Sequence, residues 1–363
     1  MDQGLNTSAD TSGSDDLHRI LHALPKVALH RHMEGSLRLE TLAEIAREHQ
    51  LDLPGYTVEA IRPLVQMTPG DPPSSASYLA KFGTLREFYR TPQIIERVAY
   101  EAVVDAAQDN VRYFEMRFTP IASARLMGFE LSDVFEWVIG GVRRAEAEHN
   151  IAVRLIVSMN RHESVELGDQ FVDLAIRNRE RGVVGVDLAG AEDLYEAAPF
   201  APLFCAAQQA GLFVTIHAGE WAGPANVLEA IETLGALRIG HGVRTLEDPR
   251  AVELARERDI AFEVCPSSNV QSGVVKRWEE HPLQSMYRTG LRTTINTDNT
   301  LVSAVTLTEE MRRAMRYLGF TLDDIKTHIM NAAHAAFLSP QERERLVSSL
   351  DAELHPDQKR TTA

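Results

Sequence analysis

Eight apolar, β-branched runs alternate with segments of helical period along this chain, and that alternation leaves few folds open. The runs are Val27–His32, Val111–Phe118, Ala152–Ser158, Val183–Leu188, Leu212–Ile216, Leu237–Ile239, Ile260–Val264 and Leu291–Ile295. Helical periodicity fills the gaps, as in Leu131–His149, Gln170–Arg181, Ala201–Gly211 and Asp248–Arg258. Strand followed by helix, eight times over, predicts an α/β fold of the (β/α)₈ TIM-barrel class with parallel strands buried on both faces. An open, doubly wound sheet is the competing architecture. No G-x-G-x-x-G follows the first run, and eight strands in one series favour the closed barrel.

The chain has 363 residues, a length that suits one large barrel with additions. Residues 1–16 (MDQGLNTSADTSGSDD) read as a disordered, solvated tail, and Leu17–Ala23 as a short helix before the first strand. A single barrel domain is expected over 17–340, followed by a C-terminal helix and frayed tail over 341–363. Within the domain, 53–91 forms a lid-like insertion after the first strand. Its first part, Leu53–Ser77, is rich in Pro, Gly and Ser with only a weak helical segment, and exceeds ordinary connection lengths. Tyr78, Leu79 and Phe82 then open a helix.

Composition excludes several partners. A net charge of −15 disfavours nucleic acid and anionic membrane surfaces, which select clustered Lys and Arg. No apolar run reaches membrane-spanning length, and the first residues lack the basic and apolar regions of a secretory signal, so the cytoplasm is the expected location. The two cysteines, Cys205 and Cys265, form no C-x-x-C pair, which argues against a disulfide framework or a thiolate zinc site. Cys205 reads as helix core and Cys265 as a strand residue before a Pro turn.

Active sites of such barrels lie at the C-terminal strand ends, and here those ends carry unusual polar residues. They read His30/His32/Glu34, Arg117/Thr119, Asn160, Asp187/Gly190, His217/Glu220, His241, Ser267/Ser268 and Asp298/Asn299. Three of the eight ends carry imidazole in a chain with 13 histidines. His30 and His32 share one strand face by the two-residue period, which in a barrel is the inner one. His217 offers a third nitrogen. Asp298 offers a carboxylate from the eighth strand, which neighbours the first in a closed barrel. Three His and one Asp, with a position left for water, describe a catalytic metal site, although Asp298 alone would read as a helix N-cap. Glu220 is placed to meet a substrate nitrogen. His241, between Gly240 and Gly242, is a further ligand, a base, or a hydrogen-bonded core residue.

The motifs HRHMEGS, DLAGAE, HAGE, RIGHG, CPSSN and NTDN, in this order on successive strands, resemble the adenosine deaminase family of metal-dependent amidohydrolases. The resemblance runs from Pro25 to Phe337. It implies one Zn²⁺ per subunit on His30, His32, His217 and Asp298. It further implies Glu220 as proton donor to purine N1, His241 beside the metal-bound water, and the Gly190 N–H at purine N3. Tyr78, Leu79 and Phe82 match apolar residues that line and gate the pocket. The implied reaction is hydrolytic deamination at purine C6, with zinc lowering the pKa of its water so that hydroxide attacks.

Two positions depart from the family pattern. Asn299 stands where a second Asp commonly meets N7; an amide can donate there at any pH. Glu34 stands near the ribose 5′ end where adenosine-specific members often have Asp. The substrate is therefore open among adenosine, 2′-deoxyadenosine, free adenine and 5′-modified adenosines such as aminodeoxyfutalosine, with adenosine the leading candidate. A non-catalytic purine-binding barrel is the reading from another class. A two-metal amidohydrolase acting on an ester or amide is disfavoured, since Gly190-Ala191-Glu192 offers no bridging lysine at the fourth strand end. The sequence carries no indication of oligomeric state.

Overall fold

The computed structural model describes residues 8–356. The eight runs form one parallel sheet in chain order: β1 (Lys26–His32), β2 (Val111–Phe118), β3 (Ala152–Asn160), β4 (Val183–Ala189), β5 (Phe213–Ala218), β6 (Arg238–His241), β7 (Ala261–Val264) and β8 (Arg292–Ile295). Each strand pairs in parallel with the next. The strand ends agree with the apolar runs to within two residues. With helices covering the outside, this is the expected (β/α)₈ barrel.

The sheet closes on itself through a short seam. Asp298 donates its N–H to the His30 carbonyl at 3.0 Å and accepts from the His32 N–H at 2.8 Å. Below it, Asn296 Oδ1 accepts from the N–H groups of Leu29 and His30 at 2.9 and 3.1 Å. A side-chain amide thus satisfies backbone donors that a longer β8 would otherwise pair. On its other edge β1 slips register against β2 between Ala28 and Arg31, the signature of a bulge.

The barrel interior holds charge where an apolar filling is usual. Arg117, Arg238, Glu115 and Glu263 are at most 1% exposed. Arg117 Nη2 lies 2.7 Å from Glu263, and Arg117 Nη1 3.4 Å from Asp187; Arg238 pairs with both Glu115 and Glu263. Burying these groups costs several kcal/mol each unless they are paired, so the network stands or falls as a unit.

Helix starts follow local chemistry. Proline occupies the first turn of the helices Pro92–Gln108, Pro224–Glu232, Pro249–Glu257, Pro266–Gln271 and Pro340–Leu354, where its missing N–H leaves no donor unmet. The helices after β5 and β7 in this group are short and escape a periodicity reading.

Three expectations need correction. The first helix spans Ser8–Ala23, so the described part of the expected tail is helical; Asp16 and Arg19 pair across one turn. Residues 1–7 and 357–363, which include most of the expected tails, lie outside the described residues. The insertion is more ordered than its composition implies, with helices Val58–Val65 and Ser75–Arg86 capped by the Thr57 and Ser74 hydroxyls. Cys205 is exposed, because its helix turns Leu203, Phe204 and Ala207 inward instead.

Candidate active site

The strand ends converge on one cavity of about 260 Å³, near the lower end of small-molecule sites, roughly 300–1,000 Å³. His32, Glu34, Tyr78, Leu79, Phe82, Gly190, His217, Glu220, His241, Asp298 and Asn299 all line it. His30 lies directly beneath, fully buried. The residues proposed for metal, proton transfer and substrate contact are therefore brought together. A wider groove of about 620 Å³ opens beside the first helix, away from this cluster; volume alone does not make it the site.

Four donor atoms meet at the floor. His32 Nε2 lies 3.3 Å from His217 Nε2 and 3.5 Å from Asp298 Oδ1, and His30 Nε2 lies 3.4 Å from the same oxygen. His30 Nε2 is buried with no hydrogen-bond partner, which a core imidazole does not tolerate cheaply. Donor atoms of His30, His217, His241 and Asp298 lie within 4.8 Å of one another, as do those of His32, Asp187 and His217. These two groups share His217, so the His/Asp cluster is positioned to chelate a metal ion.

The orientation of each imidazole is set from behind. Glu263 Oε2 holds His30 Nδ1 at 2.9 Å, and Asp187 Oδ1 holds His217 Nδ1 at 2.9 Å. Both rings thereby turn Nε2 to the centre, the arrangement that fixes tautomer in metal-binding histidines. Asn269 Nδ2 lies 3.0 Å from His241 Nδ1, which leaves Nε2 facing Glu220 Oε2 at 3.6 Å. Sequence reading missed these orienting roles; an acid inside the short apolar strand Ala261–Val264 was the available signal for Glu263.

Burial sets the protonation states. It pushes the pKa values of His32 and His241 well below the usual imidazole range, and lowers that of His217. Neutral imidazoles are the ligating form. Burial opposes ionisation of Asp298, yet the adjoining His30 imidazole and the other surrounding histidines outweigh it and hold the carboxyl low. Glu220 goes the other way: burial, then the nearby Asp298, Glu192 and Asp193 carboxylates, push it well above the carboxylate range. Beside the donor cluster, Asp298 is thus held toward its ionised form and Glu220 toward its protonated form.

Glu220 is carried by a loop clamped from one side chain. Glu192 accepts the backbone N–H groups of Gly219, Glu220, Trp221 and Ala222 at 2.6–3.2 Å. Gly219 takes φ 66°, and a Cβ there would sit 2.6 Å from Val227. His241 and Asp298 also have left-handed backbones, at φ 61° and 59°. Such strain in non-glycine residues concentrates where geometry is functional.

The roof comes from the insertion. Tyr78, expected as an apolar lining residue, points its hydroxyl at Asp298 Oδ2 (3.3 Å) and Ser303 Oγ (3.0 Å). Asn299 Nδ2 donates to that hydroxyl at 3.3 Å while its Oδ1 presses on Gly35, where a Cβ would come within 1.9 Å. Glu34 Oε1 accepts the Thr119 N–H at 2.7 Å; burial outweighs that bond and raises the carboxyl to about 7.

Known proteins resemble this chain along most of its length. The family model described as adenosine deaminase matches residues 25–353. An adenosine deaminase of Clostridium perfringens is 36% identical over 327 residues, which covers 90% of this chain and 98% of that protein. Among solved structures, the adenine deaminase from Arthrobacter aurescens superposes with a TM-score of 0.81 at 25% identity, over 90% of this chain and 98% of the other. The N6-methyl-AMP deaminase from Arabidopsis thaliana superposes equally well, with a TM-score of 0.81 at 26% identity over 92% and 98%. These relatives are named for a nucleoside, a free base and a nucleotide.

Proposed function

We propose, from the premise that this chain belongs to the adenosine deaminase family, that it hydrolyses adenosine and 2′-deoxyadenosine to the 6-oxopurine nucleoside and ammonia. It is a metal-binding aminohydrolase of the purine-deaminase type. The observation that carries the finer reading is the pairing, in one cavity, of a four-donor His/Asp cluster with a buried, protonated Glu220. A non-catalytic barrel has no use for that pair.

His30, His32, His217 and Asp298 are the proposed holders of one zinc ion; the donor set of three neutral imidazoles and a carboxylate fits it, and the partnerless His30 Nε2 is the atom such an ion would satisfy. When bound, zinc supplies Lewis acidity that brings the pKa of a coordinated water to about 7. The remaining work belongs to the protein. Glu220 holds a proton at the cavity wall and donates it to purine N1, which neutralises charge pushed into the ring as C6 is attacked. His241, neutral with Nδ1 accepting from Asn269, carries its own proton on Nε2 and orients the attacking water, whose proton passes to the ionised Asp298 carboxylate. The Gly190 N–H meets N3, and Asn299 meets N7. Tyr78, Leu79 and Phe82 cover the ring and exclude bulk water.

The test is a substrate panel on zinc-loaded protein. Adenosine, 2′-deoxyadenosine, adenine and 5′-modified adenosines are compared by loss of adenine's ultraviolet absorbance, with metal content measured in parallel. About one zinc per chain and turnover of adenosine are expected. Turnover of adenine alone would move the assignment to the free base, as the likeness to the Arthrobacter enzyme allows. Metal loading with no turnover of any member would end the deaminase reading.

A further inference from the structure

The helix Ser75–Arg86 crosses the cavity and presents Tyr78, Phe82 and Arg86 to it, four residues apart and therefore on one face. Tyr78 marks the metal end through its hydroxyl at Asp298. Eight residues of helix advance about 12 Å, so Arg86 stands at the opposite end, about the length of a nucleoside away. Glu34, which the family likeness puts near the ribose 5′ end, lines the cavity at that same end.

Arg86 has no carboxylate of its own there. Its neighbour Glu87 is taken by Arg90 at 3.0 Å. Glu34 accepts from the Thr119 backbone and is not within ion-pair reach of Arg86. His162, which also lines the cavity, has its Nε2 3.2 Å from Glu163. Among the described residues lining the cavity, Arg86 is the free cation, half-buried and open to the pocket. A guanidinium so placed recognises planar oxyanions, with a fork that matches carboxylate or phosphate.

We propose that Arg86 selects substrates bearing an anionic group, a phosphate or a carboxylate, at the end of the molecule remote from the 6-amino group. This rests on the reading that the purine sits at the His/Asp cluster. Arg86 touches the substrate's far end only, and its effect falls on binding of the anion.

The experiment compares kcat/KM of the zinc-loaded full chain for AMP, adenosine 5′-carboxylate, the neutral adenosine 5′-carboxamide and adenosine, in wild type, Arg86→Met and Arg86→Lys. In wild type at least one anionic substrate should exceed its neutral counterpart. Arg86→Met should lower the anionic-to-neutral ratio about 10- to 100-fold, mainly through KM, and Arg86→Lys should restore part of it. The phosphate and carboxylate arms tell which anion is preferred. Equal ratios in wild type and Arg86→Met overturn the proposal. Equilibrium binding of IMP against inosine to the same proteins reads the ratio without turnover. Tighter IMP binding that Arg86→Met abolishes, in a protein that turns over nothing, keeps Arg86 and ends the deaminase reading. Turnover with an unmoved ratio does the reverse.

Discussion

His241 Nε2 and Glu220 Oε2 lie 3.6 Å apart, both buried, with the imidazole held neutral and the carboxyl held protonated. The two groups therefore adjoin each other on one wall of the cavity. Neither forms an ion pair with the other, so the Glu220 proton stays available for transfer.

Glu220→Gln tests the donor. The amide keeps size and hydrogen-bond donation but cannot transfer a proton, so kcat should fall about 10²- to 10⁴-fold with metal content unchanged. In wild type the active form is the protonated one. Since burial raises the Glu220 pKa, kcat should hold through neutral pH and decline as pH rises through that raised value. A rate that instead climbs steadily with pH on the alkaline side would remove Glu220 from the acid role.

Asp187 and Glu263 predict different failures. Asp187 orients His217 alone among the histidines and reaches Arg117 only at 3.4 Å, so Asp187→Asn should weaken zinc affinity about 10- to 100-fold with a smaller stability loss than a change at Glu263. Glu263 serves His30, Arg117, Arg238 and Thr215 together. Removing its charge leaves two buried guanidinium groups short of a partner, and Glu263→Gln should cost about 3–5 kcal/mol of stability. Metal titration and denaturant melts on both variants separate the two effects; equal stability losses would contradict the division.

Asn299→Leu examines the N7 contact. Loss of one buried hydrogen bond to the ring should reduce kcat/KM for adenosine about tenfold. Unchanged KM and turnover would take Asn299 out of substrate recognition.

Glu310 gives a stability signature away from the chemistry. It is fully buried, accepts the Ser267 N–H at 3.1 Å, and burial raises its pKa to about 8. The folded state binds this proton more tightly than the unfolded chain does. Its contribution is therefore complete below the ordinary glutamate pKa and is lost as pH rises through about 8. Melts of the metal-loaded protein at pH values bracketing that window should show the decline, and Glu310→Gln should flatten it by an amount on the order of a few kcal/mol. An identical pH slope in the variant would place the effect elsewhere.

The barrel was legible because buried parallel strands are continuous apolar runs, and Ala261–Val264 or Arg292–Ile295 can hardly be read otherwise. The donor cluster was legible because H-x-H and the later His and Asp fall at strand ends, where the fold dictates convergence. What orients them was not. Glu192 clamps the Glu220 loop from 27 residues upstream or more, and nothing local to either segment announces it. Asp187 and Glu263 became intelligible only once neighbouring strands fixed which face they share. Arg86 ended a helix of low amphipathicity, and its lack of an ion-pair partner among the described residues is a property of the assembled pocket. The Tyr78 hydroxyl, likewise, gains meaning only from Asp298 on the far side of the chain.

The ring of strands is fastened at one clasp, and the clasp is Asp298, whose backbone bridges to β1 while its carboxylate faces the histidines. Any breathing that loosened the hoop there would pull the imidazoles of the first strand away from the eighth. An ion seated among them would act as a rivet across that join. Amide hydrogens of His32 and Asp298 should accordingly exchange with solvent more slowly in the loaded protein than in the stripped one, and more so than those of the continuously laddered pair β3 and β4.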